Sequence, residues 1–337
     1  MKKAVITIYY NKNNNAGPKA QTDVVRFLAD KGYENITLPF NVRSKFGKLK
    51  YAYYDLPRLF RKSHYDIVLF QYPIFSEYIV NSIIRSVRKY TQAKLFFITH
   101  DIDTLRAAEP DLEFQKREIE QLNSTDGLII HNKVMKKWLS NHGVNVPMVD
   151  LNIFDYDNSY PINKNDKYEK TVCFAGNFEK APFLEKIKLE DTHLDLYGSN
   201  PANPYQKGIK YHGQFTPDNL LSHLTQNFGL VWDGNSIETC SGRYGNYLRY
   251  NDPHKASLYL SSGMPIIIWN KAALADFVKH NHVGIGVDSL TNLDNVLDNI
   301  SQEEYKKMKK NCIKMATQLR NGDNIKRAIE SLERQID

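Results

Sequence analysis

An α/β protein of two doubly wound, Rossmann-like units in tandem is the fold class this sequence predicts, and three observations predict it. Short apolar, β-rich runs alternate with amphipathic segments along the whole chain. A polar, turn-forming stretch at 152–170 interrupts that rhythm, which then resumes. The length, 337 residues, is more than one hydrophobic core usually serves and suits two domains of ordinary size.

In the first unit the strand candidates are AVITIYY (4–10), NITLPF (35–40), DIVLFQY (66–72), KLFFITH (94–100), GLIIHN (127–132) and VPMVDL (146–151). Segments such as AQTDVVRFLADKG and EYIVNSIIRSVRKYT lie between them with helical periodicity. Near-continuous apolar strands joined by helices imply a mostly parallel sheet covered on both faces, with right-handed crossovers. The stretch NIFDYDNSYPINKNDKYEK, 152–170, reads as a linker. The second unit repeats the pattern with TVCFAG (171–176), LDLYGS (194–199), IKYHGQ (209–214), FGLVWDG (228–234), MPIIIW (264–269) and VGIGVD (283–288). From Ser301 the chain is charged and helical, interrupted by Asn321-Gly322-Asp323, and is expected to pack back across the domains. The expected division is thus a first domain 1–151, a linker 152–170, a second domain 171–300 and C-terminal helices 301–337.

Composition narrows the function. No run approaches the roughly 20 apolar residues that cross a bilayer, and the apolar run after MKK is too short for a signal sequence. Cys173, Cys240 and Cys312 are far apart and lack metal-type spacing, which fits a reducing cytosol and not a disulfide framework or a zinc site. A cytoplasmic location is therefore expected. The net charge of +7 is spread along the chain, with basic stretches at 41–62 and 306–314. The second reads as a solvated face. The first interleaves Tyr51, Tyr53, Tyr54 and Phe60 with cations, which keeps acceptor contact or contact with the inner face of a membrane open. The three tryptophans, Trp138, Trp232 and Trp269, read as core, and self-association is left open. No nucleic-acid partner is expected beyond a nucleotide.

In doubly wound sheets ligands sit beyond the carboxyl ends of the strands, and two facing domains would enclose a cleft between them. Neither G-x-G-x-x-G nor G-x-x-x-x-G-K-[ST] occurs, which argues against dinucleotide oxidoreductases and P-loop ATPases. In YNDPHKASLYLSSGMPIIIWN, 250–270, Asn251 or Asp252 is expected to cap a helix, Pro253 to enter its first turn and Gly263 to end it. His254 and Lys255 then fall in the first turn. A cation there opposes the helix dipole unless an anion binds, so Lys255 is either an exposed lysine or a phosphate ligand. After the strand TVCFAG come Asn177 and Lys180, with Gly176 permitting close approach of a ligand. Tyr197 and His212 follow the next strands as candidates for base and ribose contact, with core packing as the alternative for Tyr197.

The pattern HDxxxL in the first half, followed by FAGNxEK, FGLVWDG and HKASLYLSSGMPIIIW in the second, resembles a bacterial GT-B glycosyltransferase family. That family includes the third-step glucosyltransferase of serine-rich adhesin glycosylation and the β-1,6-galactofuranosyltransferases of surface polysaccharide synthesis. The resemblance spans nearly the whole chain. It implies the GT-B fold, a UDP-sugar donor on the second domain, a glycan acceptor on protein or lipid facing the first, and inversion at the anomeric carbon. Lys180 and Lys255 match the family's basic positions and would neutralise the leaving diphosphate, so no metal and no other cofactor is expected. The chain departs from the broader GT-B pattern in lacking E-x7-E at this helix, where Asn251, Asp252 and His254 stand instead.

On the acceptor side Asn15 and Gly17 lie in a turn-rich loop after the first strand, and Tyr72 ends the third. Inverting transfer needs a base, for which Asp101 is the first candidate and His100 the second. His131 and Asp233 are further candidates, and Asp103 reads as a helix cap. Arg243 and Tyr247 belong to an insertion, 235–250, expected as a lid or acceptor loop. Two alternatives accompany this reading: a metal-dependent GT-A-type transferase using Asp101 and Asp103, and a noncatalytic GT-B-like partner of another transferase.

Overall fold

The computed structural model describes residues 1–8, 16–38, 44–74, 76–107, 109, 111–202 and 204–335. The chain forms two compact units, Met1–Leu151 with Ile325–Asp337, and Asn152–Asn324.

Unit 1 carries β1 (Lys3–Ile8), α1 (Ala16–Ala29), β2 (Tyr33–Leu38), α2 (Lys45–Lys50), a π-helical turn over Tyr51–Asp55, α3 (Leu56–Lys62) and β3 (Ile67–Tyr72). There follow α4 (Glu77–Tyr90), β4 (Lys94–Thr99), α5 (Asp103–Arg106), α6 (Leu112–Asn123), β5 (Gly127–Ile130), α7 (Lys133–Asn141) and β6 (Met148–Asp150). All strand pairs are parallel, in the order β2-β1-β3-β4-β5-β6. Every residue of β3 is buried, which is why its run reads as continuously apolar. Ile79, Val80, Ile83 and Val87 give α4 its buried stripe, and Arg88 and Lys89 close its last turn in accord with the helix dipole. Asn132 caps α7 by accepting from the Val134 and Met135 amides.

Unit 2 carries β7 (Thr171–Asn177), β8 (His193–Ser199), β9 (Ile209–Tyr211), α8 (Pro217–Leu220), β10 (Phe228–Val231), α9 (Gly242–Tyr247), α10 (His254–Ser261) and β11 (Ile266–Trp269). After it come α11 (Ala275–His280), β12 (Gly284–Val287), α12 (Leu293–Asp298) and α13 (Gln302–Asn321), and then, outside unit 2 from Ile325, α14 (Asp323–Glu333). The parallel order is β12-β11-β10-β7-β8-β9. Trp232 and Trp269 are core, as are the three cysteines, all free thiols. A reciprocal Ser301–Glu304 capping box starts α13, and Gly322, at φ 72°, ends it in the left-handed conformation.

All twelve expected strands are present, trimmed by a few residues; the ends of the first two runs, 9–10 and 39–40, lie outside the described residues. Two stretches gain detail. The stretch 152–170 has no helix or strand, but it does not hang free: Ile153, Phe154 and Tyr156 are buried in unit 2. Its polar residues serve hydrogen bonds, with Asn158 Nδ2 donating to Ser261 and Ser262 and Arg320 donating to the Tyr160 and Ser261 carbonyls. The tail divides, since α13 belongs to unit 2 and α14 from Ile325 onward to unit 1. There Glu333 accepts from Lys3 Nζ (2.7 Å) and the Tyr33 hydroxyl (2.7 Å), Lys31 pairs with Glu330, and Leu332 lies against Gly127.

In the basic stretch at 306–314 Lys306, Lys307, Lys310 and Lys314 are exposed, whereas Lys309 is 1% exposed and its Nζ has no hydrogen-bond partner among the described residues. Burial lowers its pKa to about 8, with Cys312 and Asp166 opposing weakly. The native ammonium is therefore disfavoured relative to the unfolded chain. Lys309→Met is expected to stabilise unit 2 by up to about 3 kcal/mol at neutral pH. Between pH 8 and 10.5 the unfolded lysine binds the proton that the native one has lost, so wild-type stability rises with pH there. Urea midpoints measured across that window check both, and parallel curves for wild type and variant exclude the assignment.

Candidate functional site

In each sheet the strand order reverses once, between β7 and β10 in unit 2 and between β1 and β3 in unit 1. Ligands of doubly wound sheets bind at the carboxyl ends of strands at such points.

In unit 2, β7 and β10 pair only through Phe228↔Val172 and Gly229↔Cys173. Beyond that pairing the Ala175 amide donates to the Tyr259 hydroxyl (2.7 Å) from α10. A Cβ on Gly229 would come within 2.2 Å of the Tyr259 ring, so the glycine lets α10 seat directly on β10. One turn earlier, Lys255 lies over the Phe174 ring, its Nζ 2.7 Å from Asp233 Oδ1 and 3.3 Å from the Trp232 carbonyl. Two backbone hydrogen bonds join the loops after β7 and β10: Gly234 N–H donates to Lys180 O (2.9 Å), and Phe183 N–H to Gly234 O (3.2 Å). Lys180 is exposed, its Nζ 4.7 Å from the centre of the Tyr244 ring, which Arg243 also faces at 5.5 Å. Among the described residues no carboxylate lies within salt-bridge distance of Lys180.

Asn177, Lys180, Asp233 and Lys255 thus share one strand-end layer. Gly176 is exposed there and packs close to Gly198, where a Cβ would meet the Gly176 carbonyl at 1.7 Å. Asn177 accepts from the Glu179 amide (3.0 Å) and from Asn200 Nδ2 (2.8 Å). Other expectations are corrected. Pro253, not Asn251 or Asp252, is the N-cap of α10. Asp252 is buried, and the His254 ring tilts against Phe154 and Tyr156 at 5.8 and 5.2 Å. Tyr197 is core: its hydroxyl donates to His223 O (3.2 Å) and accepts from Gln226 Nε2 (2.9 Å), and burial raises its pKa to about 12. The insertion 235–250 is not an open loop, because α9 buries Tyr247 and its Gly245 packs on Cys240 and the Asp233 carbonyl. Arg243 stays exposed on α9.

In unit 1 the buried Gln71 organises the switch point. Its Nε2 donates to Thr7 Oγ1 (2.8 Å) and Gln21 O (3.1 Å), which leaves Oε1 as acceptor for His100 Nε2 (2.8 Å). The neutral His100 ring therefore carries its lone pair on Nδ1, which is buried. Asp101 and Asp103 are bridged by one guanidinium, Arg106 NH1 to Asp101 Oδ2 at 2.5 Å and NH2 to Asp103 Oδ1 at 3.0 Å. A single cation thus pairs with both carboxylates of the D-x-D. Asp103 opens α5 without capping it; Glu118 accepts from the Asp103 and Thr104 amides at 2.9 Å each, and from the Tyr72 hydroxyl at 2.9 Å. Tyr72 is accordingly buried, with its phenol held neutral by burial and Glu118. A cavity of about 210 Å³ opens beside these groups, lined by Glu77, Asp103 and Phe114 among others. Gly17 lies in the first turn of α1 and not in a loop, and Asn15 lies outside the described residues.

No group of three or more His, Cys, Asp or Glu side chains placed to hold a metal occurs among the described residues, and none of their helices is long and apolar enough to cross a membrane. Sequence reasoning missed Arg106, Glu118 and Tyr244. Arg106 carried a signal, the i,i+3 spacing from Asp103, whereas Glu118 acts across 15 residues and carried none.

Comparison with known proteins matches the whole architecture. A family model described as glucosyltransferase 3-like, N-terminal domain, covers residues 2–153, and its C-terminal-domain counterpart covers 172–332. The β-1,6-galactofuranosyltransferase WbbI of Escherichia coli is 32% identical over 94% of each chain. Glucosyltransferase 3 of Streptococcus gordonii is 23% identical over 96% of this chain and 95% of its own. Sucrose-phosphate synthase from Thermosynechococcus elongatus superposes with a TM-score of 0.71 at 13% identity, covering 99% of both chains, and shows the GT-B fold.

His131, directly after β5, is fully buried; that burial drives its pKa down to about 4, and hydrogen bonds to the Thr99 and His100 backbone offset it only in part. The native imidazole stays neutral while the unfolded one protonates below about 6.5. Unit 1 is thus expected to lose up to about 3 kcal/mol as pH falls from 6.5 toward 4. His131→Gln should flatten this acid limb in unfolding curves, and an unchanged limb assigns it elsewhere.

Proposed function

The chain belongs to the glucosyltransferase 3-like family, and from that premise we propose that this GT-B glycosyltransferase moves a hexose from a UDP-sugar to a glycan acceptor with inversion at the anomeric carbon. The observation that carries the donor assignment is the pairing of an exposed Lys180, with no carboxylate partner among the described residues, and an anchored Lys255 at the β7/β10 switch point. A leaving diphosphate gathers negative charge as the glycosidic bond breaks, and preplaced cations and amides stabilise that charge without reorganising. Lys180 meets it as the available cation. Lys255 is held by Asp233 at the amino end of α10, where the helix dipole favours an anion. Galactofuranose and glucose are the two donor sugars that the relatives support, the former through the 32% identical galactofuranosyltransferase.

The transfer is a single displacement. The acceptor oxygen bonds to the anomeric carbon, the bond to the diphosphate breaks, and the acceptor proton passes to a base. Asp101 fits that role better than His100: its side chain is 28% exposed, while His100 commits Nε2 to Gln71 and buries Nδ1. Arg106 orients Asp101 as a positioning residue. The cavity near Asp103 supplies an aromatic face, Phe114, and carboxylates such as Glu77 of the kind that hold sugar hydroxyls.

Two measurements test this. Lys180→Ala is expected to weaken UDP binding about tenfold or more by calorimetry, and Lys255→Ala likewise, each with the fold intact; unchanged titrations in both would reject the donor site. Asp101→Asn, assayed in EDTA with UDP-galactofuranose and UDP-glucose, should lose about 10²–10⁴ of transfer while keeping UDP affinity. Wild-type activity abolished by EDTA, a retained anomeric configuration by NMR, or loss of UDP binding in the variant would each contradict the mechanism.

A further inference from the structure

The helical stretch Lys45–Lys62 in unit 1 takes no part in either strand-end layer. Its inner side is core: Tyr51, Ala52, Leu56, Pro57 and Phe60 are buried, which fixes how the helix sits. Its outer side is apolar and cationic at once. Phe46 is 79% exposed, Leu49 48%, Tyr53 63% and Tyr54 56%. The π-helical turn makes this possible, because it lets Tyr51 and Ala52 face inward while the next two tyrosines face out. Around them stand six cations, Lys45, Lys48, Lys50, Arg58, Arg61 and Lys62, against the single carboxylate of Asp55. The neighbouring α4 adds to both aspects: Arg85 lies over the Tyr53 ring at 5.3 Å, as Arg58 lies over Tyr54 at 5.9 Å, and Arg61 and Lys89 flank Tyr90.

The residue types choose the occupant. The stretch KFGKLKYAYYDLPRLFRK contains no Asn, Gln, Ser, Thr or His, so it offers few of the amides and carboxylates that read sugar hydroxyls. Phosphate-backbone recognition explains the cations but not an outward Phe46 and Leu49. Apolar side chains spaced one helical turn apart, rimmed by long cations that reach outward and by tyrosines of amphipathic character, match the water–lipid boundary. We propose that unit 1 docks through this face on a bilayer surface carrying anionic headgroups. Phe46 and Leu49 enter the headgroup layer, and the lysines and arginines pair with lipid phosphates. The proposal does not rest on the donor or base assignments.

Vesicle sedimentation of the full chain tests it, using phosphatidylcholine vesicles with or without about one-third phosphatidylglycerol at physiological salt. Wild type is expected to sediment with the anionic vesicles and to stay in solution with the neutral ones. The combined variant Lys45→Gln, Lys48→Gln, Lys50→Gln should lower the partition coefficient by about a hundredfold, and Phe46→Ser with Leu49→Ser by about tenfold or more. Both should keep the wild-type thermal midpoint and UDP affinity, since every changed side chain is exposed or half-buried. Failure of wild type to bind anionic vesicles, equal binding to neutral ones, or wild-type partitioning by both variants overturns the proposal. Variants that keep vesicle binding but lose transfer to a soluble glycan would show an acceptor surface in its place.

Discussion

The contact between Tyr259 and Gly229 governs the depth at which α10 lies on its sheet, and most of the donor-side geometry follows from it. The ring occupies the space a side chain on β10 would take, and its hydroxyl accepts the Ala175 amide where β7 and β10 have ceased to pair. Strand divergence at a switch point opens a crevice but exposes amides, and a buried amide without a partner costs about 1–3 kcal/mol. Tyr259 meets that need from the helix side. Because Lys255 precedes it by four residues, the same contact sets Lys255 above Phe174 and within reach of Asp233. Core packing and the placement of a reactive cation are therefore one arrangement.

The two units treat charge in opposite ways. Unit 2 leaves Lys180 open and anchors Lys255 with a single carboxylate. Unit 1 draws two carboxylates onto one guanidinium and satisfies the α5 amides with a third, the buried Glu118. A D-x-D after a strand suggests a metal clamp when read alone; in the fold both aspartates pair with Arg106. The GT-B architecture removes the GT-A alternative on separate grounds.

What was legible in the sequence follows from the range of the interactions. The twelve strands announce themselves because an apolar run of five or six residues is a local signal, and Gly263 and Gly322 mark helix ends for the same reason. Side-chain partners chosen across the fold carry no such signal: Glu118 serves Asp103 from another helix, and Asn158 binds Ser261 across 103 residues. How the stretch 152–170 lies was not legible, because polar residues that satisfy hydrogen bonds against a domain carry the same composition as solvated ones. Lys309 misled, being one lysine of a basic run whose helical phase turns it inward.

The division of the last two helices has a consequence for how the molecule comes to be made. Unit 1 needs α14, whose Glu333 holds Lys3 and Tyr33 and whose Leu332 covers Gly127. Those partners belong to residues 3–127, yet α14 follows the whole of unit 2 in the chain. At a synthesis rate of about 5–20 residues per second the wait is on the order of ten seconds or more. During that interval the nascent first sheet stands with its α14 face uncovered, so α14 closes a domain begun at its first strand, and unit 1 reaches its finished state only after unit 2 has been synthesised.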